Sequence, residues 1–269
     1  MTYVIIGGVL LLAAVGLWFG SRSQKKKLGE IRMTQTSTAA ELADLAAAVA
    51  KDIGAGSFNQ ISEVKGTIEC AEPLTSELSQ TRCVYYSMSV TREYEETYWE
   101  KDDKGNRVQR TRRGSESVAG NTRQVTFQVR DSTGTIAVDP QGASIGDEKV
   151  FSEFKQGDMR GPGQRFGSFS FDPGSFVSAT GRRTIGYRFE ESAIPLGRPI
   201  YVLGEAVDSD GRLRIRKPDK KGASFIVSLK SEEQLVQSAR SSAKGLVVAA
   251  VIAAVLGVAG IVLGALKVI

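Results

Sequence analysis

Two cysteines occur in the 269 residues, Cys70 and Cys83, and they bracket the stretch CAEPLTSELSQTRC. Such a pair admits four roles: half of a metal knuckle, a disulfide, a nucleophilic thiol site, or two small residues in a packed core. Composition separates them. The chain has no histidine. Histidine is the usual general base near neutral pH and the commonest transition-metal ligand. Cys-His and Ser-His-Asp mechanisms are therefore excluded. Two sulfurs without imidazole cannot close a structural zinc site within one chain unless carboxylates or a second subunit join them. No imidazole is present to activate a thiolate, and a disulfide needs an oxidising compartment. Packing remains: Cys70 closes one strand and Cys83 opens the next, each behaving as a small apolar residue. No cofactor and no metal are expected. Carboxylate, lysine and Mg²⁺ chemistry stay open.

Carboxylates offer the next chemistry. Glu190 and Glu191 are adjacent, with Glu205 a third. Neighbours on a strand point to opposite faces, so this pair does not converge on one substrate. Asp131 and Asp139 flank DSTGTIAVD. Asp131 with Gly134 suits a turn, and Asp139 before Pro140 suits bonds to local amides. Structure explains these acids better than catalysis.

Charged and aromatic residues suggest contact rather than reaction. Residues 100–120 read as a solvated loop at a hairpin tip. Arg107, Arg110, Arg112 and Arg113 there could dock an anionic lipid or an acidic protein, with Asp102 and Asp103 partly cancelling them. VTREYEETYW precedes it, and alternation sets Tyr94 and Tyr98 on one face, with Trp99 beside them. This reads as a peptide- or headgroup-binding face, or as a hairpin stiffened by cross-strand aromatic pairs. Residues 153–183, with Phe166, Phe169, Phe171 and Phe176, read as a long loop with apolar anchors.

Two apolar segments frame these residues. Residues 1–20 carry no charged side chain and just suffice to cross a ~30 Å hydrocarbon core. Trp18 and Phe19 sit at the far end, as interfacial anchors do. A signal peptide wants its basic residues before the apolar run; here Arg22, Lys25, Lys26 and Lys27 follow it. The second segment, 245–269, has no charge before Lys267. Its Gly257, Gly260 and Gly264, two of them in Gly-x-x-x-Gly spacing, read as a helix-packing stripe. Basic residues flank both segments on the central side, with Arg240 and Lys244 before the second. The positive-inside rule then places residues 21–244 in the cytoplasm and both termini outside. An integral plasma-membrane protein with two spans is expected.

Between the spans, residues 34–53 read as a juxtamembrane helix. Thr38 and Glu41 have capping-box spacing. Leu42, Leu45, Val49 and Ile53 form its apolar face. From residue 58 to 229 the period is two. Val64, Ile68 and Cys70 mark a buried face, and hairpins turn at 132–134 and 208–211. A polar helix over 230–244 leads to the membrane, with Ser231 and Glu233 at its start. The expected fold is membrane-anchored α+β and mainly β: a compact antiparallel barrel or sandwich, OB-like. The net charge of +5 is too dispersed to announce nucleic-acid binding.

The order of KGTIECAEPLTSELSQTRCVYYSMSVTREYEE, FQVRDSTGTIAVDPQGA, GYRFEESAIPLGRPIYVLGEAVDSDGRLRIRKP and SFIVSLKSEEQLVQSARSSA resembles the GIDE family. This is the membrane-flanked domain of MULAN-like ubiquitin ligases and of many bacterial proteins. The resemblance covers nearly the whole chain. It implies a domain held against a membrane by a helix at each end. In MULAN-like members a RING domain follows and recruits the ubiquitin-conjugating enzyme. A RING needs eight Cys/His ligands, which two cysteines cannot supply. The expectation is a prokaryote-type member without a RING, acting as a non-catalytic scaffold. Its expected partners are membrane lipids and a membrane or cytoplasmic protein, or a second copy of itself. A ligase-like role by homology and an anionic-lipid sensor are the alternatives.

Overall fold

In chain order the elements are α1 (Thr2–Met33), α2 (Ala39–Asp52), β1 (Asn59–Glu69), β2 (Leu74–Thr75), β3 (Arg82–Lys101), β4 (Arg107–Gln124), β5 (Phe127–Arg130), β6 (Thr135–Val138), β7 (Ser144–Gly146), β8 (Glu148–Gln156), β9 (Gln164–Phe166), β10 (Phe169–Phe171), β11 (Arg182–Pro195), β12 (Pro199–Val207), β13 (Arg214–Arg216), β14 (Ile226–Ser228) and α3 (Glu232–Leu266). They come from a computed structural model that describes all residues except 1, 103, 158–163, 173–181, 210 and 267–269. Asp103, Phe176 and Lys267 thus lie outside the described residues.

The strands close a barrel. β1 pairs with β5, β5 with β6, β6 with β13, β13 with β12, and β12 returns to β1 from Asn59↔Val207 to Thr67↔Pro199. Closure leaves these strands without a free edge. The circuit is the OB-like barrel expected from the strand pattern. Two pairs depart from the antiparallel expectation: β6 runs parallel to β13, and β7 parallel to β14. Alternate residues fill the interior: Val64 and Ile68 from β1, Phe127 and Val129 from β5, Ile136 and Val138 from β6, Val202 and Ala206 from β12, and Ile215. Gly204 on β12 must be small, because a Cβ there would lie 2.7 Å from Ile215 Cγ2 and 2.9 Å from Arg216 O.

Helix α2 packs on this core through Ala39, Leu42 and Ala46, with Val49 at the margin. Its capping box is formed: Thr38 accepts from the Glu41 amide, and Glu41 accepts from that of Thr38. Leu45 and Ile53 are exposed, which corrects the expected apolar face. Small alanines let the helix approach closely, so the buried stripe runs through Ala39, Leu42 and Ala46 instead.

The second sheet runs β8–β11–β3, with β4 along the other edge of β3. The β9–β10 hairpin covers it: Phe166 lies 4.2 Å from Phe189, and Phe171 5.1 Å from Tyr187. Two stretches read as loops are therefore strand in part, 107–124 as β4 and 148–156 with 164–171 as β8 to β10. Only the tip, residues 102–106, joins β3 to β4.

Both terminal helices run straight through their charged flanks. Lys, Arg, Glu and Gln are good helix formers, so the boundaries expected near residues 20 and 245 mark a change of surroundings and not of backbone. α1 and α3 are each long and apolar enough to cross a membrane. They pack side by side and antiparallel, Gly20 near Leu246, Gly7 against Gly257, and Val4 against Gly264. Beyond the apolar part they grip the barrel. Ile31 of α1 and Leu235 and Val236 of α3 pack on Tyr201, Leu203 and Ile226. β12 is thus buried on both faces over Ile200–Leu203, and the apolar run IYVL there reflects that.

Candidate functional site

The β3–β4 hairpin outruns the sheet. β11 accompanies β3 only as far as Glu96↔Arg182, whereas β4 continues to Lys101↔Arg107. Among the described residues, 97–101 and 107–111 form an arm paired only with itself. The register sorts the candidate residues by face. Tyr98 is opposite Arg110, Glu96 opposite Arg112 and Tyr94 opposite Gly114. The other face carries Trp99 opposite Gln109, Glu95 opposite Arg113 and Lys101 opposite Arg107. Alternation thus joins Tyr94 and Tyr98 but puts Trp99 behind them. Trp99 is 64% exposed.

Glycine at 114 has a local cause. The Tyr94 ring folds over it, and a Cβ would sit 2.7 Å from its Cζ and hydroxyl oxygen. Arg182 stacks on the same ring at 4.7 Å, a cation–π contact. The Arg112 guanidinium lies 5.5 Å from the Tyr98 ring.

Three of the arginines on β4, one on the arm and two at its base, are compensated. Arg110 pairs with Glu100 at 3.2 Å, Arg112 with Glu96 at 2.6 Å and Arg113 with Glu95 at 3.2 Å. Arg183 joins Glu95 at 2.6 Å and Arg182 joins Glu96 at 3.3 Å. Hydrogen bonds from Arg183 and Arg113 hold the Glu95 carboxyl below its ordinary range, and Arg112 does the same for Glu96. These strands form a ladder of exposed ion pairs, not an open basic patch.

The acids weighed for catalysis are engaged elsewhere. Glu190 pairs with Lys149. Glu191, on the opposite face, is 1% exposed. Its carboxylate accepts from the Leu78 amide at 2.7 Å, the Ser79 amide at 3.0 Å and the Ser79 hydroxyl at 2.7 Å. Burial acts to raise its pKa, and these donors outweigh it, holding the carboxyl below its usual range. It pins the connection between Cys70 and Cys83. Glu205 lies near Arg216 and accepts from the Asp219 amide. Asp131 accepts from the Thr133 and Gly134 amides in its own turn, and also from the Ala39 amide at the start of α2. Asp139 accepts from the Gln141 amide.

Both cysteines are free. Cys83 is fully buried, and desolvation, with the Glu191 charge, pushes its thiol up to about 11. A thiol so poised is unreactive. Among the described residues, no group of three or more acids and cysteines is gathered to hold a metal ion.

Sequence alternation did not reveal the buried Glu63, on β1. Its carboxylate accepts from Tyr201 Oη at 2.8 Å and Thr36 Oγ1 at 2.6 Å, and pairs with Lys65 at 2.9 Å. Lys65 in turn holds Glu232 at the start of α3 at 2.7 Å. Burial and the Glu63 hydrogen bond push the Tyr201 phenol far up. One network thus ties barrel, the segment after α1, and α3. Asp208 is a second miss. Beyond its turn, it accepts from the Gly56 and Phe58 amides at 3.1 and 2.9 Å.

In the stripe on α3, a Cβ on Gly257 would lie 3.0 Å from Gly7 O, one on Gly260 3.3 Å from Tyr3 O, and one on Gly264 2.6 Å from Val4 Cγ2. Their neighbour is the first span of the same chain.

A closed barrel carried on two apolar helices, with ion-paired acids and a buried Cys83, defines a membrane-flanked β domain. The family model for GIDE, described as E3 ubiquitin ligase, matches residues 95–264, well over half of the chain. The chain belongs to the GIDE family. It is similar to the E3 ubiquitin-protein ligase SP1 of Arabidopsis thaliana, 41% identical over 59 residues. That stretch is 22% of this chain and spans only 17% of the relative's length. No solved structure matches.

Proposed function

We propose that the chain is a two-span membrane scaffold whose β domain presents the β3–β4 arm to a partner protein without performing catalysis. The carrying observation is the arm: it stands beyond the sheet, shows Trp99 on one face and Tyr98 on the other, and does no packing for the core. Interfaces favour such aromatics beside arginine. The barrel grips both helices through Ile31, Leu235 and Val236, so the arm is held in a fixed attitude to the bilayer. The basic flanks support a cytoplasmic domain at the plasma membrane. Crosslinking in native membranes followed by mass spectrometry tests this. Reproducible protein adducts on the arm, a second copy included, are expected; recovery of lipid adducts alone overturns it.

A second reading rests on the family's description: the domain belongs to a ubiquitin-ligating assembly. These 269 residues hold two cysteines and no histidine, so eight zinc ligands of a RING would have to come from elsewhere. Ubiquitin transfer by the purified chain with a conjugating enzyme would establish this reading. No transfer is expected.

A further inference from the structure

Where α1, α3 and the barrel meet, there is a recess of about 190 Å³, room for roughly six waters. Lys27 of α1 and Lys230, two residues before α3, both line it, with Gln24, Ser144, Ser238 and Ser242. Lys27 approaches Ser144 Oγ at 3.5 Å, and Lys230 is near enough to repel it. No aspartate or glutamate lines the recess. Elsewhere on the domain, cations meet acids: Lys65 with Glu63, Lys149 with Glu190, Arg112 with Glu96. Two ammonium groups beside hydroxyls, without an acid, form a site complementary to an anion.

The position narrows the anion. Ser242 lies three residues before Gly245, where the apolar part of α3 begins, and Lys27 seven after Gly20, where that of α1 ends. At about 1.5 Å per residue these are roughly 5 and 10 Å of helix. The polar layer beside a ~30 Å hydrocarbon core is about 5–7 Å deep per leaflet, so Ser242 lies within it. The Lys27 backbone stands a few ångström beyond, a distance a lysine stem can span back. Lys230, fifteen residues before Gly245, approaches from the domain side. Arg22, stacked on Trp18 at 3.9 Å, and Arg240 and Lys244 add positive charge at the same level.

We propose that this recess seats the phosphate of an anionic membrane lipid. Lys27 and Lys230 meet the phosphate oxygens, the serine hydroxyls donate to them, and the acyl chains descend along the apolar faces of α1 and α3. The lipid then ties the helix pair to the barrel at their junction. Arg110, Arg112 and Arg113 of β4 already hold Glu100, Glu96 and Glu95, which favours the recess over the arginine strand as the lipid site.

The test uses the full chain reconstituted with phosphatidylcholine alone or with added phosphatidylglycerol, then delipidated in neutral detergent. Native mass spectrometry counts the phosphatidylglycerol that stays bound. K27Q/K230Q is expected to retain it roughly thirty-fold more weakly. K25Q/K244Q, the same charge change outside the recess, is expected to retain it almost as the parent does. Ser242→Leu, which fills the recess without removing a charge, is expected to lose it as the lysine pair does. This keeps the test valid if K27Q/K230Q fails to fold. Equal retention by Ser242→Leu and the parent, or equal loss in both lysine pairs, overturns the proposal. So does displacement of the lipid by millimolar inorganic phosphate, which would make free phosphate the ligand.

Discussion

The barrel–helix junction and the hairpin arm use the same chemistry, glutamate against a cation, to opposite ends. At the junction Glu63 is 1% exposed and bonded to Tyr201, Thr36 and Lys65. On the arm Arg110 is 59% exposed and its partner Glu100 53% exposed. A buried charge whose partner is removed is left unsolvated, and the cost is several kcal/mol. An exposed pair, once broken, is rehydrated, and loses at most about 1 kcal/mol. The junction is therefore fixed by its polar groups. The arm is only shaped by them, and stays free to exchange its pairs with a partner.

Breaking buried acids should have the largest effects. Glu191→Ala strands the Leu78 and Ser79 amides and is expected to cost about 3 kcal/mol or more, read as lost thermal stability of the full chain in detergent. The pH dependence follows from its lowered pKa. The stabilisation is complete above the ordinary carboxylate value of 4.5 and is lost as pH falls through the lower folded value. Glu191→Gln is expected to flatten that acid slope. An unchanged slope would place the acid sensitivity in other carboxylates.

Tyr201→Phe comes next, at about 1–2 kcal/mol, because Glu63 loses a donor but keeps Thr36 and Lys65. Proteolysis at the junction should speed up with it. Gly7→Leu acts on a different link: its side chain meets Gly257 O and Ile261 and forces the spans apart. A loss of about 1–2 kcal/mol in helix pairing, read as reduced crosslinking between cysteines placed on α1 and α3, is expected. Smallest is Arg110→Ala, at about 0.5 kcal/mol or less in the same thermal assay. A loss above 2 kcal/mol there would erase the contrast between arm and junction.

The parts legible in the sequence were those with local causes. The capping box at Thr38 and Glu41 and the turns near 132–134 and 208–211 depend on residues a few positions apart, and the barrel followed from period-two strands between them. Gly114, Ser115 and a run of charges concealed β4, because the ring that justifies the glycine, Tyr94, belongs to another strand. Glu63 carried no signal in the sequence, and Glu191 stood there only as one of an adjacent acid pair. Their donors lie at Tyr201 and Leu78, far along the chain. The parallel pairs β6–β13 and β7–β14 likewise join segments that share no local signal. The first charged flank looked like a helix end and the second, 230–244, like a separate polar helix, because charge marks the bilayer edge, whereas each helix runs on unbroken between the apolar part and the barrel.

Hydrogen exchange along β3 tests the freedom of the arm most directly, since this one strand runs from the packed second sheet out into the arm. In the full chain in micelles, amides of residues 84–92, which pair on both sides, should exchange only through global opening. Those of residues 97–101 should exchange at least about a hundredfold faster, through local opening of the arm. Uniform protection from residue 84 to 101 would contradict the account and make the arm part of the folded core.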